Sequence, residues 1–219
     1  MLKIGLVDDH RLFRKSLALL IDSIEGAEVV LQAGNGKELL EQLDSIQVDL
    51  ILLDIQMPEM DGFETCRQLR KHYPDVKILI ISQLTTKESI HRVMELGANG
   101  FFSKDAEPEK LEKAIRDIRA KDYFFDDDLA SVIREAILWE KRLPANLLAS
   151  PVAITHREME VIRMACKEYS SAEIAEQLFI NVRTVETHRK RIMEKTESKN
   201  FIGVVLFALR HGLLVMDEL

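Results

Sequence analysis

One pattern recurs five times over roughly the first 120 residues: a short apolar run, then a segment whose apolar residues return every three or four positions. Leu2 to Val7 is the first run, and Phe13, Leu17, Leu20, Ile21 and Ile24 form the first such face. Residues 29–33 precede Leu39, Leu40 and Leu43. Leu50 to Leu53 precedes Phe63, Cys66 and Leu69, with Arg70 on the same helix. Residues 76–81 precede Ile90, Val93 and Met94, and residues 100–102 precede Leu111, Ala114, Ile115 and Ile118. A period of two residues belongs to strands and a period near 3.6 to helices. The run at 50–53 is unbroken, as a strand covered on both faces requires. The alternation therefore predicts an α/β fold with a five-stranded, parallel, doubly wound sheet, whose functional groups gather at the carboxyl ends of the strands.

The pattern changes near residue 121. The expected division is 1–121 for the first domain, 122–150 for a helical linker and 151–219 for an all-α domain of four helices. Asp126 to Asp128 can cap a linker helix over 129–141, with Leu129, Val132, Ile133, Ala136 and Ile137 on one face, and Pro144 beyond its end. Residues 143–151 read as the connection. Further on, Thr155 with Glu158 and Ser170 with Glu173 fit capping boxes. Asn181 can cap a third helix and Asn200 a fourth, which Gly212 would end.

Charge sharpens this division. The chain carries a net charge of -7, which argues against nucleic acid until it is counted by segment. Residues 1–120 hold 16 basic and 21 acidic side chains, residues 121–150 hold 4 and 6, and residues 151–219 hold 10 and 10. Within the last segment, residues 181–199 hold six basic residues and three acidic, enough to meet a phosphate backbone. No apolar run is long enough for a membrane span, and no basic N-terminal segment leads into one. The expectation is a cytoplasmic protein with no membrane partner. Its two cysteines, Cys66 and Cys166, are read as reduced core residues.

A group of polar residues falls at strand ends. Asp8 and Asp9 follow the first strand, Asp54 follows the third, Ser82 ends the fourth and Lys104 lies just past the fifth. Singly, each has an ordinary explanation as a helix cap or a solvated side chain. A parallel sheet, however, would bring all of them to one edge. Clustered carboxylates call for a hard divalent cation such as Mg2+, which also suits in-line phosphoryl transfer. A carboxylate there can act as the nucleophile, with Lys104 and the Ser82 hydroxyl on the remaining oxygens.

The segments VDDHRLFR (Val7 to Arg14), LLDIQMPEMDG (Leu52 to Gly62), the Ser82 position and GFFSKD (Gly100 to Asp105) resemble the receiver domain of NarL/FixJ-type two-component response regulators. The resemblance implies a flavodoxin-like fold and Asp54 as phosphoacceptor. It implies Asp9 and Asp54 as Mg2+ ligands, with Asp8 in support and the Gln56 backbone carbonyl as a further ligand. Lys104 would be the phosphate partner, and Ser82 with Phe101 the switch pair. Phe101 stands where tyrosine is common, so its packing alone must carry the signal.

Residues 170–196 have the layout of helix, tight turn and longer helix. Ile174, Ala175 and Leu178 would face inward on the first, and Val182, Val185, Ile192 and Met193 on the second. The opposite face carries Arg183, Glu186, Thr187, Lys190 and Glu194, which fits a major-groove helix and equally a solvated one. Arg189, Arg191, Lys195 and Lys199 are placed for phosphates. THREMEVI (Thr155 to Ile162), AEIAEQLFINVRTVETHRKRIMEK (Ala172 to Lys195) and ALRHGLL (Ala208 to Leu214) resemble a LuxR-type helix-turn-helix domain. That resemblance implies Glu186, Thr187 and Lys190 as base readers, and His188 near the DNA backbone or packed. It implies Val204, Val205 and Ala208 as a dimer contact. Two positions depart from the pattern: Glu168 replaces a usual glycine and Thr196 a usual hydrophobic residue.

The expected function is a phosphorylation-controlled transcriptional regulator, not an enzyme, that binds DNA as a homodimer after receiving a phosphoryl group from a sensor histidine kinase. A phosphohydrolase with an aspartate nucleophile would carry a second aspartate where Gln56 stands. A dinucleotide-binding domain would need a glycine-rich turn after the first strand. A receiver that never takes phosphate would not need the full acidic set.

Overall fold

Residues 1–124 and 152–214 are described by the computed structural model. The expected linker helix over 129–141 and the whole connection over 143–151 lie outside them. The strands are β1 (Leu2–Val7), β2 (Ala27–Ala33), β3 (Leu50–Leu53), β4 (Lys77–Ser82) and β5 (Gly100–Ser103). The helices between and after them are α1 (Arg11–Asp22), α2 (Gly36–Leu43), α3 (Gly62–His72), α4 (Lys87–Leu96) and α5 (Pro108–Lys121). Every pairing is parallel, in the order β2-β1-β3-β4-β5. This is the doubly wound order with a switch point between β1 and β3.

β3 shows why its sequence is apolar throughout. Leu50 and Leu52 join a cluster with Ile4, Leu6, Leu17, Ile21, Ile115 and Ile118, under α1 and α5. Ile51 and Leu53 point the other way, into a cluster with Leu39, Leu69, Ile90 and Val93 under α2, α3 and α4. β2 starts at Ala27, two residues before the apolar run predicted. Its pairing with β1 extends to Leu2 opposite Ala27 and leaves Glu28 exposed, which an edge strand tolerates.

The second domain holds α6 (His156–Cys166), α7 (Ser171–Gln177), α8 (Val182–Lys195) and α9 (Phe201–Arg210). Both capping boxes form, at Thr155 with Glu158 and at Ser170 with Glu173. Asn181 Oδ1 accepts from the Arg183 N–H at 2.9 Å, Asn200 Oδ1 accepts from the Gly203 N–H at 2.8 Å, and Gly212 adopts φ +65°. Glu168, in the place of the usual glycine, takes φ +63°. A side chain there costs roughly 1 kcal/mol relative to glycine. The buried stripe of α8 begins at Val185; Val182 is 39% exposed, not buried as its spacing predicts. Thr196, at the other departure, is buried, and its hydroxyl donates to the Ile192 carbonyl, so it satisfies itself where an apolar residue would simply pack.

Candidate functional site

Register decides which strand-end residues meet. Val7 pairs with Leu53, Leu53 with Ile80 and Ile80 with Phe101, so Asp8 and Asp54 leave neighbouring strands at the same level. The Asp54 N–H donates to the Val7 carbonyl at 2.9 Å, and the Lys104 N–H to the Ser82 carbonyl at 3.0 Å. Gly62, at the start of α3, completes the edge: a Cβ there would lie 2.2 Å from the Asp54 carbonyl oxygen, so only glycine lets α3 pass this close.

The side chains converge as the sequence predicts. Lys104 Nζ lies 2.6 Å from Asp8 Oδ2 and 2.5 Å from Asp54 Oδ2. Asp8 and Asp54 are buried, and Asp9 is exposed at the rim. Asp54 Oδ1 accepts from the Ile55 N–H at 2.7 Å, leaving Oδ2 toward the lysine. Burial disfavours the Lys104 ammonium, but its hydrogen bonds to Asp54 and Asp8, and their charges, outweigh that and raise its pKa above the ordinary lysine value. The Phe13 ring lies over the ammonium, 4.9 Å from the nitrogen. Ser82 is fully buried and its Oγ accepts from the Leu84 N–H at 3.2 Å. Phe101 is buried at 1% exposure, and Gln56 is exposed.

These residues fit a divalent cation. Donor atoms of Asp8, Asp9, His10 and Asp54 all lie within 4.8 Å of one another. Three carboxylates against one ammonium leave two formal negative charges, which oxygen-liganded dications neutralise.

On α8, Arg183, Glu186, Thr187, Lys190 and Arg191 are exposed and His188 is half-buried. The exposed set begins at the N-terminal turn, the end that enters a major groove in helix-turn-helix proteins. Asn181 holds that turn from outside the helix.

Sequence models of two families match this chain: the response regulator receiver domain over residues 4–116, and the bacterial regulatory proteins of the luxR family over residues 152–208. The oxygen regulatory protein NreC of Staphylococcus carnosus is 31% identical over 97% of this chain and 99% of its own length. The transcriptional regulatory protein YxjL of Bacillus subtilis is also 31% identical, over 97% of both chains. The chain belongs to the NarL/FixJ family of two-component response regulators. The solved structure of RcsB from Salmonella enterica serovar Typhimurium, bound to a promoter with a phosphomimetic present, shares the fold with a TM-score of 0.57. It is 20% identical over 96% of this chain and all of that one.

Three expectations for this response regulator meet a different placement. Arg189, expected on phosphates, is 3% exposed. Its Nη1 donates to Ser171 Oγ at 3.0 Å and its Nη2 to the Lys121 carbonyl at 2.5 Å, with Asp122 Oδ2 at 3.6 Å. The guanidinium lies 4.4 Å from the centre of the Phe201 ring and 5.9 Å from that of Tyr123, and burial lowers its pKa. Lys195, also expected on phosphates, is tied to Glu158 Oε2 at 2.7 Å and the Ala153 carbonyl at 3.1 Å. Val204, Val205 and Ala208, expected at a dimer surface, are at most 2% exposed. The reason is that α9 is apolar nearly all round and packs on α4 of the receiver as well as on α6 and α8.

Sequence reasoning missed the partners in this contact. Tyr123 stacks on Phe201 with ring centres 6.3 Å apart, and its hydroxyl donates to the Ala165 carbonyl. Asn200 donates through Nδ2 to the Ala98 carbonyl, and Lys121 pairs with Glu168 at 3.2 Å. Burial pushes the Tyr123 hydroxyl well above the ordinary tyrosine value. No local signal marks these residues, because their partners lie 42 to 102 positions away. Among the described residues no helix is long and apolar enough to cross a membrane.

Proposed function

We propose that this response regulator takes a phosphoryl group on Asp54 and thereby releases its reading helix for DNA. The observation that carries the reading is Lys104 held between the Asp8 and Asp54 carboxylates at the strand edge. One Asp54 oxygen attacks phosphorus in line, the bond to the donor imidazole breaks, and an acyl phosphate forms. A phosphohistidine of a sensor kinase supplies the group. Lys104 transfers its bond from the carboxylate to a phosphoryl oxygen. Ser82 already accepts from Leu84, so its own hydroxyl proton is left to donate to another. Mg2+ on Asp8, Asp9, Asp54 and the Gln56 carbonyl would supply charge neutralisation during the transfer.

The signal has a packed route outward. Phe101, Tyr123 and Phe201 belong to one buried cluster that spans both domains. Asn99 joins the ends of β4, β5 and α5: its Oδ1 accepts from the Ile78 N–H and its Nδ2 donates to the Asp122 carbonyl. A shift of Ser82 and Phe101 would therefore reach Lys121, Asp122 and Tyr123, which hold Arg189. Once α8 is free, Glu186, Thr187 and Lys190 read bases, with Arg183 beside them, while His188, Arg189 and Arg191 lie along the backbone side. Two copies are needed to reach two half-sites. A dimer through Val204, Val205 and Ala208 requires α9 to leave α4 first, so docking and dimerisation exclude each other.

In this reading the chain is a cytoplasmic regulator, not an enzyme that turns over a free substrate. Gln56 stands where a phosphohydrolase would place its acid. Incubation with a small phosphodonor and Mg2+ should add one phosphoryl group to the wild type and none to Asp54→Asn. Equal labelling of the variant would overturn the assignment.

A further inference from the structure

We propose that His10 is a ligand of the divalent cation in the acidic cluster, giving a mixed carboxylate and imidazole set that favours Mn2+ or Co2+ over Mg2+. The proposal rests on reading that cluster as a cation site. His10 occupies the N-cap of α1, yet its side chain makes no capping hydrogen bond to the helix. It folds back instead: Nδ1 lies 2.9 Å from Asp9 Oδ1 and 3.4 Å from Asp8 Oδ1, although the side chain is 70% exposed and has water open to it. The His10 N–H fixes the backbone by donating to Asp8 Oδ1 at 2.7 Å.

Size and charge both agree with ligation. Two ligands across a cation at about 2.1 Å stand about 4.2 Å apart, and the four donor atoms, His10 included, span no more than 4.8 Å. Imidazole adds a donor without adding negative charge to a cluster that already holds three carboxylates. Mg2+ prefers oxygen throughout, whereas Mn2+ and Co2+ accept imidazole nitrogen more readily.

Mn2+ is the probe, because its unpaired electrons report a directly bound nitrogen. With full-length protein, electron paramagnetic resonance counts bound Mn2+, and electron spin echo modulation detects the imidazole 14N. The wild type should bind one Mn2+ with 14N coupling. His10→Asn should still bind Mn2+ but lose the coupling, and its preference for Mn2+ over Mg2+ should fall by roughly tenfold. Bound Mn2+ without coupling in the wild type, or coupling that persists in His10→Asn, overturns the role of His10. Mn2+ binding that survives unchanged in Asp9→Ala with Asp54→Asn overturns the cation site itself, and His10 with it.

Discussion

Lys104 shows how a single side chain sets the resting state of the receiver. Its ammonium neutralises two buried carboxylates, and they in turn raise its pKa. Because the folded value lies above the unfolded one, the stabilisation is fully present below about pH 10.4 and is lost only as pH rises through the folded value. Between pH 6 and 9 nothing here titrates on the lysine. Lys104→Gln should therefore lower the stability of the metal-free protein by about 1–3 kcal/mol across that range, since it leaves buried charge uncompensated. It should also tighten divalent-cation binding by removing a competing positive charge. Urea unfolding with and without Mg2+ measures both, and weaker cation binding in the variant would contradict the charge argument.

The helices of the second domain divide their charged residues between architecture and recognition. Glu158 is the architectural case. Burial favours its neutral form, but hydrogen bonds from Lys195 and Thr155 prevail and lower its pKa. Its stabilising effect is thus present above the unfolded value and fades as pH falls through the lower, folded one. The difference in melting temperature between wild type and Glu158→Gln should shrink on the acid side; a difference that grows there would refute this. Lys195 shares the bond, so Lys195→Ala should cost stability more than it changes the salt dependence of DNA binding. For the exposed face of α8 the sorting by role stands as a test. Lys190→Ala should lose about 1–3 kcal/mol at the specific site if it contacts a base in bidentate fashion. Arg191→Ala should weaken all sequences alike and flatten the salt slope. Equal losses of specific and general binding in both variants would show that the two residues do not divide the work.

For the whole molecule, the decisive feature is the contact between the domains. Arg189 sits on the reading helix, but its hydrogen bonds reach the end of α5 and its face covers Tyr123 and Phe201. Tyr123→Phe keeps the ring stack and removes the hydroxyl bond to Ala165. Losing one such bond costs about 1 kcal/mol, so DNA binding by the unphosphorylated protein should tighten by roughly fivefold. Phosphorylated protein should show little change. Titration of labelled DNA in both states checks this, and equal effects in the two states would mean that Tyr123 does not bias the docked arrangement.

Much of this protein is written in short-range pattern. Strand runs, helix faces and the caps at Thr155, Ser170, Asn181 and Asn200 all depend on neighbours within a few residues. Parallel pairing then brings Asp8, Asp54, Ser82 and Lys104 together wherever each strand ends, so the acidic site was legible before any coordinates. Arg189, Lys195 and the α9 residues were not. Spacing places a side chain on a helix face but does not say what covers that face. Arg189 and Lys190 are adjacent basic residues on one helix, yet one is enclosed by the receiver and the other exposed. That difference comes from a second domain folding against the first, through partners up to 102 positions apart, and only the tertiary structure holds it.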